Sequence, residues 1–264
     1  MSKLQVENVN VSFGQNQVLK DISIHLEQGE LVSLLGVSGS GKTTLFNVMS
    51  GLLKPQQGRV LLNGGDITGK PGQISYMLQK DLLLPYRTIQ DNVALPLLFQ
   101  GMRKKEARRK AAAMFDEFGL AGTERKYPSQ LSGGMRQRAA LLRTYMFSQD
   151  VALLDEPFSA LDTLTKTQIH HWYLQVMEKI HLSTLFITHD IDEAILLSDR
   201  IYILTGKPGE ILDEIIVREP KPRENNFSLS DAFLEYKRTI IRRLEESGVS
   251  YASKLMHLPF TVTV

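Results

Sequence analysis

Leu31-Val32-Ser33-Leu34-Leu35-Gly36-Val37-Ser38-Gly39-Ser40-Gly41-Lys42-Thr43-Thr44 is the stretch that decides the fold. Its first five residues are a short apolar run of the kind that forms a buried strand. Gly36 to Thr43 fits G-x-x-x-x-G-K-[ST], and Thr43-Thr44-Leu45-Phe46-Asn47-Val48-Met49 reads as the helix that follows. Strand, glycine loop and helix in this order are the context that a phosphate-binding loop requires. The glycines let the backbone curl so that several N–H groups point at the β- and γ-phosphates of a nucleotide. The helix N-terminus adds partial positive charge. Lys42 supplies a full charge to the same oxygens, and the Thr43 hydroxyl is placed to ligate Mg²⁺. The nucleotide-binding candidates here are Gly36, Ser38, Gly39, Ser40, Gly41, Lys42, Thr43 and Thr44.

Three further apolar runs end in polar groups. Val151-Ala152-Leu153-Leu154 ends in Asp155, at the carboxyl edge where open α/β sheets bind ligands. A carboxylate there can hold Mg²⁺ through its water shell. Glu156 comes next and would point differently, as a general base or as a group that orients the attacking water. A pair of acids at a strand end is also common on any surface, but the apolar run before it and Pro157 after it favour chemistry. Leu185-Phe186-Ile187-Thr188 ends in His189, which alone is usually a satisfied surface or core residue. Beside Asp155 it could donate to a γ-phosphate and position the water. Ile74-Ser75-Tyr76-Met77-Leu78 ends in Gln79, which can touch Mg²⁺ or water without adding charge. Taken alone, Gln79 reads as an ordinary loop amide.

Leu131-Ser132-Gly133-Gly134, followed by Met135-Arg136-Gln137-Arg138-Ala139-Ala140-Leu141-Leu142, looks like a second anion site: a small-residue turn opening a helix. One nucleotide does not need two such sites in one subunit. With these residues in this order, the chain resembles the ATP-binding subunit of ATP-binding-cassette (ABC) transporters over roughly residues 3–220. The resemblance implies that Phe13 stacks on adenine, that Gly36–Thr43 is the Walker A loop, and that Gln79 is the Q-loop glutamine acting in catalysis and at the metal. It further implies that Leu131-Ser132-Gly133-Gly134-Met135 is the family signature, Val151–Glu156 is Walker B, Ser159-Ala160-Leu161-Asp162 is the D-loop, and His189 is the switch histidine. In the family, the signature of one subunit covers the γ-phosphate held by the Walker A loop of another. A chain with one of each motif is therefore expected to work as a head-to-tail homodimer with Ser132, Gly133 and Gly134 acting on the partner's ATP. Met135 stands where Gln is commoner and Phe13 where Tyr is, and neither change removes a charge or a backbone donor.

The expected architecture is α/β: a P-loop cassette with a β-rich edge subdomain, a parallel-sheet core and an inserted helical subdomain. The cassette spans 1–219, with the helices at about 86–148. Residues 220–264 form a linker and a short C-terminal helix, with Ser228 as cap and Phe233, Tyr236, Ile240, Ile241 and Leu244 on its apolar stripe. Residues 249–264 are apolar and carry no assignment. Net charge is +2, from 31 basic and 29 acidic residues, which gives no case for a nucleic-acid-wrapping surface. The basic run Arg103–Lys110 reads as the exposed face of a helix. There is no cysteine, so disulfides and thiolate metal sites are excluded. The start shows no apolar signal segment, and no run approaches the roughly 20 apolar residues that span a bilayer. The membrane path of a transporter would then come from integral-membrane permease subunits, with this chain on the cytoplasmic face of the plasma membrane and a substrate-binding protein as an indirect partner.

Leu82-Leu83-Leu84-Pro85-Tyr86-Arg87-Thr88-Ile89-Gln90-Asp91-Asn92-Val93 is similar to a segment of bacterial importers for nitrate, sulfonates, taurine and thiamine-pyrimidine precursors, with Tyr86 where Trp is usual. In such subunits this segment lines a groove that receives a helix of the permease. The expected function is an ATPase, using ATP and Mg²⁺, that energises an importer of this group. The alternative is a soluble ABC ATPase of DNA repair or translation, which usually carries an inserted coiled coil or a second cassette. A small-molecule P-loop kinase is a third reading, and it leaves residues 131–135 unexplained.

Overall fold

A computed structural model describes residues 2–148, 150–159, 163–221, 223 and 226–248, with the side chains of 163–165 left aside. Its centre is a six-stranded sheet. The strands are β3 (Leu31–Gly36), β6 (Ser75–Met77), β7 (Val151–Asp155), β8 (Ser183–Thr188), β9 (Arg200–Thr205) and β10 (Glu210–Ile216), in the order β10-β9-β3-β8-β7-β6. Strands β9, β3, β8, β7 and β6 are parallel, and β10 runs antiparallel on β9. Every residue of β3, β7 and β8 is buried. Both faces of the sheet are covered, so these strands read as unbroken apolar runs rather than as alternations.

A second, four-stranded sheet is antiparallel and ordered β2-β1-β4-β5, from β1 (Leu4–Phe13), β2 (Asn16–Leu26), β4 (Gln57–Leu62) and β5 (Gly65–Asp66). Burial alternates along β1, the pattern of a sheet with one face on a core. Helix α1 (Lys42–Met49) packs between the sheets, burying Leu45, Phe46, Val48 and Met49 against Leu19, Val60 and Leu153.

Between β6 and β7 lie three helices: α2 (Ile89–Phe99), α3 (Lys104–Ala112) and α4 (Gly133–Phe147). Thr88 caps α2 by accepting from the Asp91 N–H at 3.2 Å. Asp91 receives Arg108 of α3 on both oxygens at 2.6 Å, a bidentate pair that fixes α3 on α2. The basic run on α3 buries only Ala107 and Ala111 and leaves Arg103, Lys104, Lys105, Arg109 and Lys110 exposed, as the sequence pattern predicts, while Arg108 is half-buried against Asp91. Helices α5 (Thr163–Ile180) and α6 (Ile191–Leu197) flank the parallel strands. Among the described residues, no helix is long and apolar enough to cross a membrane.

The C-terminal helix, α7 (Asp231–Glu246), begins two residues later than the expected Ser228 cap. Ser230 holds that position and accepts from the Phe233 N–H at 3.2 Å. The reason is a single 3₁₀ turn at Phe227–Leu229, seated by Phe227 packing edge-on against Phe233 at 5.4 Å. Phe233, Ile240 and Leu244 are buried and Tyr236 and Ile241 pack beside them, as the helical spacing requires. The D-loop residues 160–162 and the tail 249–264 lie outside the described residues.

Arg223 fastens this extension. It is only 5% exposed and donates to the carbonyls of Ile195, Leu196 and Ser198, the C-terminal end of α6. Its charge meets the negative end of that helix and satisfies carbonyls that have no helical partner. Arg223→Met should leave those buried acceptors unpaired and lower the unfolding free energy by about 2 kcal/mol or more in urea titration. A change under about 0.5 kcal/mol would show that the extension does not depend on this cap.

Candidate functional site

The carboxyl ends of β3, β7 and β8 lie side by side, and their loops enclose one hollow. Its volume is about 620 Å³ and it is lined by Val18, Ser38, Gly39, Gly41, Lys42, Thr43, Thr44, Gln79, Asp155, Glu156 and His189. The loop after β3 can form only with glycine at its two ends. A Cβ on Gly36 would stand 2.4 Å from the Leu204 carbonyl oxygen, and one on Gly41 would stand 2.7 Å from Leu19 Cδ2. Gly41 also holds φ at 95° as the cap of α1, so the first N–H groups of that helix face the hollow without a side chain in front of them.

Gly36 and Ser40 sit beneath the loop rather than in the hollow. Ser40 is buried and donates to the Val37 carbonyl at 2.9 Å, which braces the turn. The Lys42 ammonium donates to the carbonyls of Gly36 at 2.9 Å and Val37 at 2.8 Å. It is thereby held at the loop's centre, where a phosphate oxygen is a stronger acceptor than either carbonyl.

Thr43 and Asp155 meet across the floor. The Thr43 hydroxyl donates to Asp155 Oδ2 at 3.3 Å, and Tyr76 approaches the same oxygen at 3.5 Å. Burial raises the Asp155 pKa above the usual carboxylate value and the neighbouring Glu156 charge adds to this, while Thr43, Lys42 and Tyr76 act in the opposite sense. A buried carboxylate facing a hydroxyl suits a hard cation that keeps water and phosphate oxygens for its remaining positions. Among the described residues no group of three or more acidic or histidine side chains could hold a metal.

Glu156 is held from both sides. The Gln79 amide donates to Glu156 Oε2 at 3.0 Å, and His189 Nδ1 lies 3.2 Å from Glu156 Oε1. Its backbone takes a left-handed φ of 45°, uncommon for a residue with a side chain, and its N–H donates to the Ile187 carbonyl at 3.2 Å. That turn gives Asp155 and Glu156 different partners, Thr43 for the first and Gln79 and His189 for the second.

His189 stands on its own buried support. Thr188, one residue earlier, donates to Glu193 Oε2 at 2.6 Å and accepts from the Asp190 N–H at 3.0 Å. Glu193 also contacts His170 at 3.2 Å and Lys166 at 3.3 Å. Burial alone would raise the Glu193 pKa, but His170, Thr188 and Lys166 together bring it below the usual value.

Phe13, Ser132 and Gly134 do not line this hollow. Phe13 ends β1 and is 55% exposed, with Val18 of the neighbouring β2 at the hollow's rim. Ser132 caps α4, accepting from the Met135 N–H at 3.3 Å, and Ser132 and Gly133 are exposed while Gly134 is buried. Gly133 lines a second hollow of about 740 Å³, which shares Gln79, Glu156 and His189 with the first. Sequence reasoning missed Val18, Tyr76, Lys166, His170 and Glu193. Tyr76 alone had a signal, since it brings a hydroxyl into the apolar run that leads to Gln79.

The chain matches the family model described as ABC transporter over residues 19–159. It is 48% identical over 215 residues to the formylaminopyrimidine import ATP-binding protein ThiZ of Halalkalibacterium halodurans, covering 81% of this chain and 84% of that one. It is 36% identical over 240 residues to the aliphatic sulfonates import ATP-binding protein SsuB of Bacillus cereus, covering 91% and 93%. Among solved structures it resembles the dimeric bacterial ABC transporter cassette MJ0796, at a TM-score of 0.68 and 30% identity, covering 82% of this chain and 100% of that one. The chain belongs to the ABC transporter family of ATP-binding proteins, which hydrolyse ATP to power transport.

The raised Asp155 pKa fixes the sign of one prediction. The folded state holds that proton more tightly than the unfolded chain, so stability falls as pH rises through the folded pKa, and at neutral pH the charge is a net burden. Asp155→Asn should therefore raise the melting temperature of the nucleotide-free protein at pH 7 and lower Mg²⁺-dependent ATP hydrolysis by at least about 10²-fold. A lower melting temperature would mean that the carboxylate is a structural group.

Proposed function

We propose that the chain is the ATPase subunit of an importer of the nitrate, sulfonate, taurine or pyrimidine-precursor kind, working as a head-to-tail homodimer beneath integral-membrane permease subunits. It is placed as a peripheral protein on the cytoplasmic face of the membrane, with a substrate-binding protein as indirect partner and no nucleic acid. The cassette spans 1–219, with helical residues 86–148 inserted, and 220–264 form an extension. The position of α2–α4 between β6 and β7, and of α7 after the last strand of the central sheet, supports that division.

The observation that carries the reading is the Glu156 carboxylate, gripped by Gln79 and His189 beside the Thr43–Asp155 pair. Phe13 offers a face for the adenine. The loop amides from Ser38 to Thr44 and the Lys42 ammonium take the β- and γ-phosphate oxygens. Thr43 and Asp155, with Gln79 at its edge, would hold Mg²⁺, which supplies charge neutralisation on those oxygens. Glu156 accepts hydrogen bonding from the attacking water and takes or steers its proton, while Gln79 and His189 fix its two oxygens in direction. Ser132 and the Gly133 and Gly134 amides, at an exposed helix start, act on the ATP of the partner subunit.

Coupling to the permease is assigned to the surface after Gln79. A groove of about 390 Å³ is lined by Leu52, Ile74, Leu95, Pro96, Phe99 and Phe147 among others, and Phe99 is 85% exposed. Tyr86, in the segment between Gln79 and α2, is 72% exposed, so it contributes little to the core of the helical layer. A short permease helix with apolar side chains fits such a surface.

Glu156→Gln should keep ATP binding, lose at least about 10² of turnover, and trap an ATP-bound dimer in size-exclusion chromatography. Near-normal turnover in a clean preparation would remove Glu156 from the chemistry. Tyr86→Ala should leave the melting temperature and basal ATPase rate of the isolated subunit nearly unchanged, and weaken co-purification with the permease and solute uptake. Unchanged assembly and uptake would remove Tyr86 from the interface, and co-purified nucleic acid in place of permease would overturn the importer reading.

A further inference from the structure

The segment that carries Gln79 towards α2 is held by side chains that do not touch the hollow. Arg143, near the C-terminal end of α4, donates from Nη1 to the Leu82 carbonyl at 2.8 Å and from Nη2 to the Asp81 carbonyl. Arg136, on the same helix, pairs with the Asp81 carboxylate at 3.3 Å. Leu82 adopts a left-handed φ of 46°, a conformation that persists in a leucine only where its surroundings enforce it. Further along, the buried Asn92 accepts from the Leu84 N–H at 2.7 Å and donates to the carbonyls of Leu84, Arg87 and Thr88. The segment is thus strung between two polar clamps, one on α4 and one on α2.

The α4 clamp is the one next to the chemistry. Two residues separate Gln79 from Leu82 in the chain, and the Gln79 amide is 3.0 Å from Glu156. Among the described residues, both hydrogen bonds of Arg143 go to this segment. The packing of α4 on the core is carried instead by Ala139, Leu142, Tyr145 and Met146. A planar guanidinium on two successive carbonyls fixes orientation as well as distance, which a single-point ammonium does not.

We propose that Arg143 is a positioning residue for ATP hydrolysis: by tying the Asp81 and Leu82 carbonyls to α4, it sets where the Gln79 amide meets Glu156. The hydrolysis rate then follows the position of α4, the helix that begins at Ser132. Arg143 also lines the apolar groove described above, so whatever occupies that groove bears on the same tether. The inference rests on the proposed role of Gln79 at Glu156.

The test is a double-mutant cycle on the full chain, with Arg143→Met, Gln79→Ala and both together, read as kcat and KM for ATP with a thermal melt of each protein. The expected result is a kcat lower by at least about fivefold in Arg143→Met, with KM within about twofold. The double variant should be no slower than the slower single within about twofold, since both changes remove one effect. Arg143→Lys, which keeps the charge on a single donor nitrogen, should recover part of kcat. Losses that multiply, or a KM that rises as kcat falls, overturn the tether while leaving the Gln79 reading intact. A normal kcat in Gln79→Ala overturns that reading and the inference with it. If Arg143→Met does not fold, Arg143→Lys takes its place in the cycle, and a wild-type kcat there rejects the proposal.

Discussion

The register between three buried parallel strands is the constraint on which the rest depends. Leu35 of β3 pairs with Thr188 of β8, and Ile187 of β8 pairs with Asp155 of β7. This alignment ends the three strands at one level, so that Gly36, His189 and Glu156 begin their loops together. A slip of one residue would turn every side chain to the opposite face and separate Asp155 from Thr43. What prevents the slip is the complete burial of β3, β7 and β8 between apolar layers on both faces. Hydrophobic burial therefore determines where the polar chemistry stands, although none of the apolar side chains takes part in it.

The site then works against the stability that this burial provides. Glu156 and Leu82 both hold left-handed backbone, a strain of about 1–3 kcal/mol each for residues with side chains. Asp155 keeps a buried charge beside another carboxylate. Three features that disfavour folding fall within a few residues of Gln79 and Glu156. Left-handed backbone also occurs at Asn8, Asp21, Asn63 and His181, so it is the buried carboxylate of Asp155 beside Glu156 that marks the place where the chain is shaped for a ligand.

How much of this was legible in the sequence follows from the range of the interactions. The loop from Gly36 to Thr43, the strand ends at Asp155 and His189, and the stripe Phe233, Ile240, Leu244 are local patterns, readable from spacing and burial preference. Gln79 read alone as a loop amide because its partner, Glu156, lies 77 residues away. Arg143 was not singled out in the sequence, and its contacts show only when the carbonyls of Asp81 and Leu82 are brought against it. Val18 had no signal at all, since it reaches the hollow through sheet packing. The cap of α7 was misplaced by two residues because Ser228 and Ser230 are chemically alike. Aromatic contact between Phe227 and Phe233 chose between them.

The two halves of the hollow are mounted differently, and the difference has mechanical meaning. Lys42, Thr43 and Asp155 project from elements locked by apolar packing, so their geometry is stiff. Gln79 and His189 stand on polar mounts. Gln79 hangs from carbonyls held by Arg143, and His189 from a Thr188 hydroxyl held by Glu193. Glu193 lies on α6, whose far end is capped by Arg223 of the C-terminal extension, so the helix is gripped at both ends. Hydrogen bonds and ion pairs have defined partners and can exchange them, whereas a packed core resists small displacement. An enzyme that must bind nucleotide firmly yet hydrolyse it on cue needs this division. On the proposed roles, the binding groups stand on the rigid sheet, and the groups proposed to direct the water stand on supports that a neighbouring helix can shift.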